Sequence, residues 1–71
     1  MVKRILPTVR HRGTIKWFKP SFGKGMILPD DGGGEILLAD KRRTFTEGQP
    51  VTFRMKVRES GRMEAKYVRL A

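Results

Sequence analysis

Between Ser21 and Asp40 the chain runs SFGKGMILPDDGGGEILLAD. Two apolar pulses, Met26-Ile27-Leu28 and Ile36-Leu37-Leu38, flank the run Asp30-Asp31-Gly32-Gly33-Gly34. Each pulse is short enough for a strand, and Asp31-Gly32 suits a tight hairpin because glycine adopts positive φ without steric cost. The spacing predicts strands over residues 25–29 and 35–39. Lys24 stands between Gly23 and Gly25, a charge set where the backbone is least encumbered, and its role is the question the stretch raises.

Working outward, residues 13–19, GTIKWFK, are rich in β-branched and aromatic side chains and are stopped by Pro20-Ser21, which predicts the first strand. Residues 40–49, DKRRTFTEGQ, are the longest polar stretch and form the main connection, with Phe45 expected to anchor it in the core. In VTFRMKVR, residues 51–58, Val51, Phe53, Met55 and Val57 alternate with Thr52, Arg54, Lys56 and Arg58. One face is expected inward and the other to be a solvated cationic face. Glu59-Ser60-Gly61 turns the chain into a last strand over residues 62–70. Five short strands with one long loop after the third predict an all-β domain closed into a small barrel, which hides the edges an open sheet would expose. Gly23 and Gly25 fit the close backbone approach of such coiling.

Residues 1–12, MVKRILPTVRHR, carry Lys3, Arg4, Arg10 and Arg12, no acid, no period, and a helix-breaking Pro7. They read as a basic arm ahead of a barrel over residues 13–71; a frayed terminus is the plainer alternative. The whole chain holds 16 Lys and Arg against 7 Asp and Glu, a net charge of +9. That balance points to a polyanion, because a basic surface binds nucleic acid by releasing condensed counterions. A chain of 71 residues makes one domain and buries only about 60% of its unfolded surface. Cysteine is absent, so disulfides and thiolate metal sites are excluded, and His11 alone makes neither a metal site nor a catalytic dyad. No cofactor is expected. Asp30 and Asp31 are turn formers, Ser21 and Ser60 have no histidine at a suggestive spacing, and no phosphate loop is present, so no enzyme is expected. No apolar run approaches the roughly 20 residues of a membrane span, and the N-terminus lacks the apolar core of a signal peptide. A cytoplasmic protein without membrane contact is the expectation.

From Gly13 to about Leu70 the chain resembles a cold-shock domain. The resemblance rests on GTIKWFK, the Gly23-x-Gly25 pair with Ile27, Pro29-Asp30-Asp31-Gly32, Glu47-Gly48-Gln49 and Val51-Thr52-Phe53, all in order. It implies a five-stranded barrel of the oligonucleotide-binding type that holds single-stranded RNA or DNA by stacking bases on aromatic rings. The family's first ribonucleoprotein motif, Lys-Gly-Phe-Gly-Phe, reads here Phe22-Gly23-Lys24-Gly25-Met26: the first ring and the lysine are transposed, and the second ring is methionine. In the second motif Leu37 stands where the family has phenylalanine and Ala39 where it has histidine. The long loop offers Arg42 and Arg43 instead of an exposed ring.

Stacking is worth about 1–3 kcal/mol per base, so losing three rings weakens single-strand binding by roughly 3–9 kcal/mol unless charge replaces them. Lys24 then reads as a phosphate contact, which carries little sequence information. The expected nucleic-acid-binding set is Lys16, Trp17, Phe18, Lys19, Phe22, Lys24, Met26, Leu37, Arg42 and Arg43, with Trp17 the main platform and Phe18 at the margin of the core. Simple alternation puts Trp17 on the side of Ile15, in the core; the resemblance puts it outward. Single strands are the expected partner ahead of duplex. The rival is a protein-interaction module in which Met26, Leu37 and Ala39 form an apolar patch that docks on transcription or translation machinery; duplex DNA bound by shape and charge is a further alternative.

Overall fold

The computed structural model describes residues 10–71. Five strands follow one another: β1 (His11–Lys19), β2 (Lys24–Pro29), β3 (Ile36–Ala39), β4 (Pro50–Val57) and β5 (Met63–Leu70). They close into a barrel in the order β1-β2-β3-β5-β4, all neighbours antiparallel except β3 and β5. The parallel pair follows from the long loop over residues 40–49, which carries the chain across the barrel instead of turning it back. The all-β barrel expected from the turn spacing is what the chain forms.

Ile15, Ile27, Ile36, Leu38, Phe45, Val51, Phe53, Ala65 and Val68 are buried and make the core. Phe45 pins the long loop as expected, its ring edge-to-face on Phe18 at 5.4 Å. The end of that loop joins β1, since Gly48 N–H donates to Ile15 O (2.8 Å) and Ile15 N–H to Gln49 O (2.9 Å). Gly48 has φ of 89°, a left-handed conformation that favours glycine.

Two bulges coil the barrel. In β1, Ile15 lies opposite Ile27 and Trp17 opposite Met26, so Lys16 is an extra residue. In β5, Thr52 lies opposite Arg69 and Arg54 opposite Lys66, so Phe53 alone faces both Tyr67 and Val68. Tyr67 has φ of 54°. For a bulky L-residue that conformation costs roughly 1–2 kcal/mol.

Three boundaries and orientations differ from the sequence reading. β1 begins at His11, because His11 and Arg12 pair with Phe53 and Thr52 of β4, so the barrel takes in residues assigned to the arm. Val57, expected inward, is exposed: among the described residues β1 pairs with β4 only as far as Phe53, so Val57 has Met63 of β5 on one side and no strand on the other. Arg54, expected on a solvated face, is half-buried, and its Nε is buried with no hydrogen-bond partner.

Gly25 is required where β1 and β2 meet. A Cβ there would lie 2.4 Å from Trp17 O and 2.9 Å from the Phe18 ring. Gly25→Ala is therefore expected to destabilise the barrel by about 1–3 kcal/mol, the usual cost of overpacking. Gly34, around which a Cβ meets nothing within 4 Å, serves as control: Gly34→Ala should stay within about 0.5 kcal/mol. Urea denaturation of the two variants checks both.

Candidate nucleic-acid interface

The bulge at Lys16 decides what β1 offers to solvent. With one residue inserted, Ile15 and Phe18 face inward while Lys16 and Trp17 are exposed, Trp17 at 37%. Simple alternation therefore fails for Trp17. Phe18 is half-buried and packs on the core and on Phe45, so of these two adjacent rings Trp17 alone presents an open face. Phe18, expected at the margin of the core, lies there.

The turn from β1 to β2 is built on Gly23. Its N–H donates to Lys19 O (2.9 Å) and Pro20 O (3.1 Å), and its carbonyl accepts from Asp40 N–H (2.8 Å). Its φ is 63°, and a Cβ would lie 2.7 Å from the Lys41 side chain. The two glycines around Lys24 thus have separate duties. Gly23 lets the turn bend beside Lys41, and Gly25 lets β2 approach β1; Lys24 is left exposed between them.

An open cleft of about 550 Å³ results, lined by Trp17, Lys19, Ser21, Phe22, Lys24 and Lys41. Phe22 is 64% exposed. The Lys19 ammonium lies 5.9 Å from the centre of the Trp17 ring, within reach of a cation–π contact. The cleft lining holds three ammonium groups, two rings and no carboxylate. Lys41 was not singled out from the sequence, where it reads as one more loop base; Gly23's need for space beside the loop is what brings it in. Met26 and Leu37 lie opposite each other on β2 and β3, with Met26 also opposite Trp17, and both are half-buried.

Other expected residues are engaged within the fold. Lys16 forms an ion pair with Glu35, so its charge is partly compensated. The Asp40 carboxylate accepts from the N–H groups of Arg42 (2.8 Å) and Arg43 (3.2 Å). The Arg43 guanidinium donates to Val68 O at 2.8 Å, which ties the long loop to β5. Arg42 is exposed. Lys3 and Arg4 lie outside the described residues. Arg10 is a clamp: its Nη2 donates to Thr52 O (3.0 Å) and to Tyr67 O, and its Nε to Thr52 Oγ1 (3.2 Å). Loss of solvation against the sheet, with repulsion from Arg69 and Arg54, lowers the Arg10 pKa from its usual value. Arg12 is exposed on β1.

Among the described residues no group of three or more His, Asp or Glu side chains is arranged to hold a metal ion, and no helix is long and apolar enough to cross a membrane.

No family model matches the chain. Individual proteins do. The chain is 38% identical over 66 residues to cold shock protein CspA of Rhizobium meliloti, an alignment covering 83% of this chain and 96% of that protein. It is 38% identical over 60 residues to a probable cold shock protein of Sinorhizobium fredii, covering 75% and 87% of the two. With glycine-rich protein 2 of Nicotiana sylvestris it shares 36% identity over 62 residues, 79% of this chain but 29% of the plant protein. The chain thus spans most of the bacterial relatives and under a third of the plant one.

Arg10 joins β4 to the strained bulge of β5, whereas Arg12 is exposed on β1. Arg10→Ala is expected to lose about 1–2 kcal/mol of stability, the lower part of the range for hydrogen bonds from a charged group because the site is partly exposed. Arg12→Ala should change it by no more than about 0.5 kcal/mol. Equal midpoints in urea for the two variants would refute the clamp.

Proposed function

The chain belongs to the cold-shock domain family, and from that premise we propose that it binds nucleic acid, single strands ahead of duplex, chiefly through lysine–phosphate contacts gathered around Trp17. The observation that carries this reading is the cleft in which Lys19, Lys24 and Lys41 surround the Trp17 and Phe22 rings without a carboxylate in the lining. A ring needs an unpaired base to stack on, which favours single strands. Phosphate contacts supply affinity and little sequence preference, so base identity matters little to this protein. The role is one of binding, in regulation of transcription or RNA in the cytoplasm, with no catalytic step. Lys3 and Arg4 add to the attraction as a basic arm, Arg12 adds its charge from β1, and Arg42 extends the cationic rim beyond the cleft.

The alternative, docking on a protein through Met26, Leu37 and Ala39, draws less support. Met26 and Leu37 are half-buried and lie in one row with Trp17. That row offers little apolar surface apart from the ring itself.

Salt dependence tests the ionic reading. Neutralising about five phosphates on a single strand gives a log–log slope of affinity against salt near −3.5. Lys24→Ala should make it shallower by about 0.7, the share of one phosphate. The double variant Lys24→Phe, Met26→Phe should bind single strands more tightly and keep part of that gain in high salt, because stacking is screened far less than charge pairing. Titration of Trp17 fluorescence with oligonucleotides across a salt series reads all three. Tight binding in high salt with Lys24→Ala silent would assign the affinity to rings, Phe22 first among them. No binding even at low salt would pass the function to the protein-docking alternative.

A further inference from the structure

A second aromatic and cationic surface lies on the other side of the long loop, and the reading of the Trp17 cleft does not use it. Tyr67 is 70% exposed at the bulge of β5. The guanidinium of Arg54 lies over its ring, 5.6 Å from the centre, and that guanidinium's Nε is buried without a hydrogen-bond partner. Arg10 donates to the Tyr67 carbonyl, and Arg69 and Arg54 are near enough to Arg10 to repel its charge. A groove of about 320 Å³ runs beside Tyr67 between Lys66 and the loop residues Arg42 and Arg43. Two carboxylates lie near: Glu64 pairs with Lys66 (3.6 Å) and Arg58 (3.7 Å), while Asp40, which lines the groove, accepts from the loop backbone and keeps its charge against the surrounding Arg42, Arg43 and Lys66.

The two surfaces are joined. Ala39 lines the Tyr67 groove and lies opposite Lys24 of the first cleft. The loop sends Lys41 into the first cleft and Arg42 and Arg43 into the second. We infer that Tyr67, backed by Arg54 and flanked by Arg10, Arg42 and Arg69, is a second stacking and phosphate-binding station, engaged by a single strand that continues past Ala39 from the Trp17 cleft. The inference extends the proposed binding of single strands and rests on it for the direction of the strand.

A tyrosine held at positive φ is turned outward where regular alternation would bury it on the side of Ala65, so the bulge delivers the ring to solvent. One face of the ring meets a guanidinium, and its exposure leaves the other available to a base. Clustered guanidinium groups that repel one another gain more from a phosphate than isolated ones, because the anion replaces repulsion with attraction. An unpaired base is the occupant this chemistry fits, since a duplex offers phosphates but no free base face.

Tyr67 is the one tyrosine and Trp17 the one tryptophan, so each station has its own residue to test. The experiment compares the natural protein with Tyr67→Asn, Tyr67→Phe and Trp17→Ala, using labelled single strands of about 4 and about 12 nucleotides, lengths within the range that one such barrel covers. Asparagine tolerates the left-handed conformation, so Tyr67→Asn removes the ring without adding backbone strain; urea denaturation verifies that it folds. Tyr67→Asn is expected to weaken the long strand at least about fivefold, the lower end of one stacked base. It should leave the short strand within about twofold, and Tyr67→Phe should bind like the natural protein. Unchanged binding of the long strand by Tyr67→Asn overturns the second station, as does an equal loss on a duplex of the same length, which would mean that the surface reads phosphates alone. If Trp17→Ala is silent while Tyr67→Asn weakens binding, the Trp17 reading falls and the Tyr67 station stands. The converse result removes the station and keeps the cleft, and a protein that binds no oligonucleotide at low salt overturns both.

Discussion

One extra residue in β1 governs which side chains this barrel presents to solvent. Between Ile15 and Trp17 the strand inserts Lys16 against a partner that inserts nothing. Since side chains alternate with a period of two, an insertion of one reverses the side on which every later residue falls. Ile15 therefore stays in the core, Trp17 leaves it, and Phe18 returns to pack on Phe45. Gly25 permits the arrangement, because β2 passes so close to Trp17 O that even a methyl group is excluded. The open ring and the closed core are consequences of the same local geometry.

The barrel uses the device a second time in β5, where Phe53 faces two residues and Tyr67 is put outside at positive φ. At both bulges an aromatic residue is released to solvent, and an inward residue follows directly, the half-buried Phe18 in β1 and the buried Val68 in β5. Bulges bend and twist a strand, and a barrel of only five strands needs that coiling to close. Closure and the display of rings are therefore coupled in this fold: a change that straightens either strand takes a ring off the surface and weakens the seam on which the core depends.

What the sequence made legible is what depends on neighbours in the chain. The Asp31-Gly32 and Ser60-Gly61 turns, the apolar pulses around Ile27 and Leu38, and the anchoring of Phe45 are local signals, and they sufficed for the number of strands, their succession along the chain and most of the core. Bulges are not local, because they arise from the count of residues on a partner strand. Alternation accordingly misassigned Trp17, whose outward side came only from the family resemblance, and it gave no hint of Tyr67. The engagement of Lys16 with Glu35, of Arg43 with the Val68 carbonyl and of Arg10 with Thr52 and Tyr67 joins residues 19, 25, 42 and 57 positions apart. A basic residue in a list looks equally free until such partners are known. Val57 fails for the same reason, since whether an apolar residue finds a core depends on how far the neighbouring strands extend beside it.

The pairing also explains where the excess charge is felt. Four of the seven acidic groups are engaged within the fold: Glu35 pairs with Lys16, Glu64 with Arg58 and Lys66, and Asp40 and Asp31 accept from backbone N–H groups of their own turns. What remains is a cationic excess around Trp17 and around Tyr67. At physiological ionic strength charges more than about 8 Å apart are largely screened, so each cluster acts on what touches it more than on the other. Repulsion within a cluster opposes folding, and an anion bound across it removes that repulsion. Any polyanion that binds the folded barrel and ignores the unfolded chain must therefore raise its stability by mass action. Binding and folding thus act on the same charges, and added salt works in two directions: it relieves self-repulsion in the free protein while it weakens the hold on the ligand.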